Sequence, residues 1–268
     1  MDNVKRIGEI TPSDEPVFKR VECAKHGFYE AKTMDFFGST MRSPCPVCQK
    51  EREEKESKLE EEKKNAHLMQ LEKKRIALLR KMNIGEKFWD ESFGTFDAYT
   101  EELKRYLDMC INFANDHQGR MLVMIGNNGN GKDHLAVSTL KKIGGYVYSV
   151  FEMELLIRRC YAGKISEWAL FRRLCNAPLL VINEIGRHKA GKWEMDFLSH
   201  IVNKRYENMR PIIFVSNKHL VEGCQCDECI QHYLGNDIIS RIIEVGEIMT
   251  FTGNDYRYKK REQLGKNK

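Results

Sequence analysis

The chain has no run of about eighteen apolar residues, the length a helix needs to cross a bilayer. Its opening stretch, MDNVKRIGEITPSDEP, has no apolar core of a signal peptide. Both absences predict a cytoplasmic protein with no membrane partner. The sequence also lacks an excess of one charge. Its 44 Lys+Arg against 39 Asp+Glu give a formal net charge of +5 over 268 residues. That balance permits contact with nucleic acid without demanding it, because only a clustered basic patch argues for binding. In a reducing compartment the nine cysteines are not expected to pair, and their clustering points to metal. A hydrophobic share of 41% suffices for a real core, and the length allows one large domain with one small one.

The scarcity of turn residues is local. From Gln49 to Met82 there is no glycine or proline, and Glu51 to Lys64 is almost wholly charged with both signs mixed. Such a stretch predicts a solvated helix held by i,i+4 pairs. Leu68, Leu71, Leu78, Leu79 and Met82 give it an apolar face toward its end. It reads as a linker, or as a docking helix; the apolar repeat is too short for a coiled coil alone. Ahead of it stand Cys23-Ala-Lys-His26 and Cys45-Pro-Val-Cys48. Two ligand pairs of this spacing suit a tetrahedral Zn²⁺ site, and the aromatics between them suit a short hairpin. The predicted organisation is a flexible arm over 1–20, a zinc-binding module over 21–50, a charged helical linker over 51–82, a nucleotide-binding domain over 83–258 and a basic tail over 259–268.

The stretch from Met121 to Lys142 is the centre of that domain. An apolar strand ends at Gly126, a glycine-punctuated loop follows, and an amphipathic helix begins near Lys132. Loop amides, a helix N-terminus and a lysine together bind phosphate. Gly126-x4-Gly131-Lys132 fits the pattern G-x-x-x-x-G-K-[ST] except at its last position, where Asp133 replaces the hydroxyl. The candidate nucleotide contacts are Gly126, Asn127, Asn128, Gly129, Asn130, Gly131, Lys132, Asp133 and His134. After the loop, apolar runs at Gly145–Phe151, Pro178–Ile185, Pro211–Ser216 and Val245–Thr252 predict strands. Helical patterns occupy Thr100–Asn115, Glu152–Leu174, Trp193–Asn208 and Asp237–Ile243. The alternation predicts an α/β fold with a parallel sheet covered on both faces. Phe88, Trp89, Phe93 and Phe96, ahead of the first of these helices, are expected to pack on the main domain.

The segments GNNGNGKDHLA, LLVINEIGR, Arg205-Tyr206, IIFVSN, DIISRI and TGNDYR, with EKFWDESFGTF ahead of them, resemble the DnaC-type helicase loaders and the related IstB-type transposition helper ATPases. Both are AAA+ proteins. The resemblance covers residues 84–258. It implies an ASCE P-loop sheet, ATP or ADP with Mg²⁺ bound between subunits of a self-assembled oligomer, a replicative helicase as partner, and single-stranded DNA. It places Glu184 at the attacking water, Asn217 near the γ-phosphate, Arg241 as an arginine finger and Arg257 near the sensor-II region. The zinc module is similar to that of phage and prophage members.

Two departures separate the chain from that pattern. Asp133 stands where a hydroxyl is expected, and Asn183 stands where the strand-end Asp is expected. A carboxylate beside the β- and γ-phosphates repels them unless a cation intervenes, so weak or absent hydrolysis is expected. An exchange is also open, in which Asp133 binds Mg²⁺ and Asn183 donates its amide to Asp133. Cys224, Cys226 and Cys229, with His232 or His219, form a second candidate zinc cluster; a cysteine-bearing surface loop is the alternative.

Overall fold

The structure of the chain, a computed structural model, describes residues 17–36, 39–187, 191–221, 224, 226–253 and 255–256. Residues 1–16 of the arm expected over 1–20, the tail over 259–268 and Arg257 lie outside them. The chain divides into two compact units, 1–73 and 74–268. The division falls within the charged helix, not at its end, because Leu79 and Met82 are buried in the core of the second unit. Leu68, Leu71 and Leu78, expected on the same apolar face, are exposed.

The first unit is a three-stranded antiparallel meander of β1 (Val17–Cys23), β2 (Gly27–Phe36) and β3 (Ser39–Arg42), followed by the part of helix α1 (Pro46–Lys81) that precedes residue 74. This extends the expected hairpin by a strand. It also corrects the arm reading for 17–20, which pair in register with 30–33. Proline at the first helical position suits the start of α1, since its missing N–H has no intrahelical partner there. Among the described residues of this unit only Ala31, Thr33 and Cys45 are buried. A core that thin cannot hold a module of this size unaided.

The second unit is built on five parallel strands: β4 (Met121–Gly126), β5 (Gly145–Ser149), β6 (Leu179–Ile185), β7 (Ile212–Ser216) and β8 (Gly246–Phe251). Their order is β5-β6-β7-β4-β8. The loop-bearing strand β4 is therefore separated from β6 by β7, as the resemblance implied. Successive residues of each central strand face opposite cores. Met121, Val123 and Ile125 enter one cluster with Leu180, Ile182, Ile212 and Phe214. Leu122 and Met124 enter the other with Leu179, Val181, Ile213 and Val215. Both faces being covered is why these strands read as unbroken apolar runs. Helices α2 (Glu101–Asn115) and α3 (Lys132–Ile143) lie on the second face, joined by the aromatics of the 86–96 segment. Helices α4 (Val150–Tyr161), α5 (Glu167–Asn176), α6 (Lys192–Glu207) and α7 (Gln231–Val245) lie on the first.

The single helix expected over 152–174 is two. Gly163, at φ 67°, ends the first, and Ser166 caps the second by accepting from Ala169 N at 3.3 Å. The helix expected over 237–243 starts earlier and is kinked at Gly235. Arg205 on α6 is fully buried. It donates to Leu174 O at 2.6 Å, Ala177 O at 2.9 Å and Pro211 O at 2.6 Å. It thus closes the carbonyl end of α5, where positive charge is favoured, and ties it to the residues leading into β6 and β7. Burial pushes its pKa down to about 9, which leaves it charged at neutral pH.

Candidate nucleotide site and metal clusters

Gly126 closes β4 at φ 118°, and a Cβ there would lie 2.1 Å from Phe251 O. Only glycine allows this backbone angle beside a neighbouring strand. At Gly129, φ 77°, an added Cβ would stand 1.9 Å from an Asp255 carboxylate oxygen. The stretch leaving β8 thus lies against the loop, and Tyr256 N donates to Gly129 O at 3.0 Å. Lys132, the first residue of α3, is buried. Its ammonium donates to Gly126 O at 2.7 Å and Asn127 O at 2.5 Å, and burial pushes its pKa down to about 8.

Beside it, Asn183 Nδ2 donates to Asp133 Oδ1 at 2.8 Å, and Asn183 Oδ1 accepts from Glu184 N at 2.7 Å. The two partners fix the amide's orientation, since one can only accept and the other only donate. The pairing is the one the exchange reading required. Glu184 sits at φ 56°, a left-handed angle uncommon outside glycine, where the β6–β7 register shifts. Its carboxylate is paired with Arg187.

Other predicted residues are placed differently. His134 turns away from the loop: its Nε2 lies 2.7 Å from Ser92 O, and its ring meets Phe96 edge-on at 5.2 Å. The Asn130 side chain is buried and donates to Gly253 O at 2.8 Å, so it ties the loop to the stretch after β8. Asn127 and Asn128 are exposed on the loop. Asn217 is exposed one residue past β7. Arg241 on α7 stacks on Tyr206 at 4.5 Å and donates to Asn203 Oδ1 at 3.3 Å. Sequence reasoning missed Lys141, which donates to Phe88 O, Trp89 O and Glu91 O at 2.5, 3.0 and 2.6 Å and so holds the 86–91 segment.

Cys23, His26, Cys45 and Cys48 bring four donor atoms within 4.8 Å of one another. Cys23 and Cys48 sulfurs are 3.6 Å apart, and His26 Nδ1 lies 3.2 Å from Cys48, 3.8 Å from Cys45 and 3.9 Å from Cys23. Ligands about 2.0–2.3 Å from a tetrahedral Zn²⁺ stand roughly 3.4–3.8 Å apart, so the donor set fits zinc. His26 Nε2 meets Glu51 Oε1 at 3.1 Å, which leaves Nδ1 to face the sulfurs. Amides of Lys25 and His26 lower the Cys23 thiol to about 6. Cys48 moves the other way because Cys23 carries the first charge of the pair. In the second cluster the histidine brought to the cysteines is His219, not His232.

Among the described residues, no helix is long and apolar enough to cross a membrane. The family model of the IstB-like ATP binding proteins matches residues 54–264. The replicative helicase loader DnaC of Buchnera aphidicola is 25% identical over 196 residues, 68% of this chain and 75% of the relative. The putative ATP-binding protein of insertion sequence IS21 from Pseudomonas aeruginosa is 27% identical over 149 residues, 54% of this chain and 55% of that protein. A crystal structure of the DnaC helicase loader, 24% identical, superposes with a TM-score of 0.55 over 63% of this chain and 100% of its own. That likeness concerns the fold, an AAA+ sheet with helices on both faces. Since the family model matches well over half of its residues, the chain belongs to the IstB-like ATP binding family.

Proposed function

We propose that the chain binds ATP or ADP at the 126–132 loop and acts in DNA replication as a helicase loader, delivering a replicative helicase to single-stranded DNA as an oligomer of itself. The observation that carries the nucleotide reading is Lys132. It is a buried ammonium at a helix N-terminus, held by two carbonyls of the loop, with the Asp133–Asn183–Glu184 chain beside it. The helicase comes from the DnaC relatives, and single-stranded DNA from the resemblance to the loader family. An IS21-type relative favours a transposition helper as the second reading, in which the partner is a transposase.

Loop amides and Lys132 would hold the phosphates. Asp133 has one oxygen on Asn183 and the other facing no described hydrogen-bond donor, so its carboxylate suits a Mg²⁺ ion. Bound there, the ion would neutralise phosphate charge. Glu184 shares its Oε1 with Arg187, a pairing that competes with orienting a water and supports slow hydrolysis. Arg241 would act on a neighbouring subunit only after leaving Tyr206 and Asn203. At the N-terminal cluster, Cys23, His26, Cys45 and Cys48 would hold a structural Zn²⁺, since all four positions are protein ligands.

The experiment is a titration of the whole chain with ATP, with and without Mg²⁺, beside Asp133→Ala. Magnesium should tighten binding to the native protein, and Asp133→Ala should abolish that effect; an equal response in both excludes Asp133 as a ligand. Mixing with a replicative helicase and single-stranded DNA should then give a complex on gel filtration. Binding to a transposase alone would favour the second reading.

Two further outcomes are expected. The combined change Asp133→Thr with Asn183→Asp places the hydroxyl and strand-end carboxylate where the family pattern has them. Turnover should rise at least about tenfold, since the phosphate-side carboxylate is removed; an unchanged rate contradicts the metal-site account. The pH dependence follows from Lys132. Its pKa in the free protein is lowered to about 8, so above that pH it carries less charge, and phosphate contact draws a proton back. ATP affinity should be flat below pH 8 and fall above it by up to about tenfold per unit. Calorimetry in buffers of different ionisation heat should show proton uptake on binding that rises as the pH passes through about 8.

A further inference from the structure

The connection between β7 and α7 carries chemistry that the nucleotide reading does not use. Cys224 Sγ lies 3.5 Å from His219 Nε2, and Cys226 Sγ lies 3.3 Å from the same nitrogen and 3.2 Å from Cys224 Sγ. Cys229, fully buried, brings its sulfur within 4.8 Å of both His219 and Cys224. Cys226 closes the exposed side of the group, against two of its three other members. The backbone builds the cluster from two directions. His219 forms a parallel bridge with Cys229, donating from N to Glu228 O at 3.1 Å and accepting at its O from Ile230 N at 2.9 Å. Cys229 N donates to Cys226 O at 3.1 Å, a tight turn that ties the exposed end of the group to its buried one. Residues ten apart in sequence are thus held as neighbours by main-chain bonds, with no disulfide.

We propose that His219, Cys224, Cys226 and Cys229 form a second zinc site, inside the ATPase domain and independent of the N-terminal cluster. Three thiolates and an imidazole are the donor set of a closed, structural Zn²⁺ site, and soft sulfur donors exclude magnesium and calcium. The nitrogen-to-sulfur and sulfur-to-sulfur spacings of 3.2–3.5 Å approach the ligand edges of a zinc tetrahedron, roughly 3.4–3.8 Å. The site does not rest on the nucleotide reading, but its position matters to it. His219 lies two residues past Asn217, and the loop it pins lies against the turn after Glu184. A Cβ at Gly186 would stand 2.9 Å from Lys218 and 3.1 Å from Tyr233. Lys218 is itself fastened to Glu228 within the loop at 2.6 Å. The metal would therefore fix, at one end, the exit of β7 and the Glu184 turn, and at the other, the start of the helix that carries Arg241.

The test is metal content of the whole chain by mass spectrometry, after expression with zinc and purification without chelator. The native chain should carry about two zinc ions. Cys224→Ser with Cys226→Ser should lose one, and so should His219→Ala, whereas His232→Ala should lose none. A chain with Cys23→Ser and Cys48→Ser should keep one, which separates failure of this site from failure of the N-terminal one. If a variant does not fold, titration of the stripped native chain with Co²⁺ decides. Two equivalents should develop the sulfur-to-cobalt charge-transfer absorption of tetrahedral thiolate sites. Zinc content indifferent to Cys224 and Cys226, a single cobalt equivalent in the native chain that Cys224→Ser with Cys226→Ser leaves unchanged, or a Cys23→Ser/Cys48→Ser chain without metal would each overturn the proposal.

Discussion

Arg205→Met should lower the stability of the second unit by about 4 kcal/mol, the range seen when one partner of a buried charged network is removed. Methionine fills much of the volume but donates nothing. The carbonyls of Leu174, Ala177 and Pro211 would be left in a fully buried place without the guanidinium. Arg205→Lys should fall between the two, because one compact ammonium cannot span acceptors that a planar fork reaches together. Urea unfolding measures the difference, and the thermal midpoint should drop by about 8–16 °C. A loss below about 1 kcal/mol would mean that water reaches those carbonyls, and that Arg205 does not join α5 to the strand starts.

Lys132→Ala should weaken ATP binding about a hundredfold, about 2.7 kcal/mol, while leaving the fold in place. Charge-assisted bonds to phosphate are the strong ones, and here the ammonium is already out of water and already positioned. Without nucleotide the variant should melt close to the native protein, because the lysine's own bonds to Gly126 O and Asn127 O are offset by the burial that depresses its pKa. Calorimetric titration of both proteins with ATP checks the first statement, and thermal melts check the second. Equal affinities would place the nucleotide elsewhere; a collapsed variant would make Lys132 a structural residue of the loop.

The parallel sheet was legible because its physics is written into each strand. β4, β6 and β7 are buried on both faces, so their positions ahead of the C-terminal ends are apolar, and no helix period fits such short runs. The loop was legible because glycine spacing records backbone angles directly. The contact between Asp133 and Asn183 was legible as well, since two departures from one pattern pointed at each other across 50 residues. What spacing cannot tell is which way a side chain turns. His134 and Asn130 lie in the loop's text, yet one side chain binds Ser92 and the other Gly253. His232 is nearer in sequence to the cysteines than His219, but the bridge at Cys229 brings His219 to them. The role of Arg205 was illegible for the same reason. A charged residue on a helix reads as exposed until three carbonyls from two other segments are found around it.

The most direct measurement is nucleotide occupancy and turnover on one purified sample of the whole chain, with Mg²⁺ present. Saturable binding of about one ATP or ADP per chain is expected, with hydrolysis slow or absent, as a loop of this geometry beside the Asp133–Asn183 pair should give. No binding at millimolar ATP, in a protein whose melting shows it folded, would contradict it, leaving the AAA+ fold as a scaffold and moving the search for function to the two cysteine clusters.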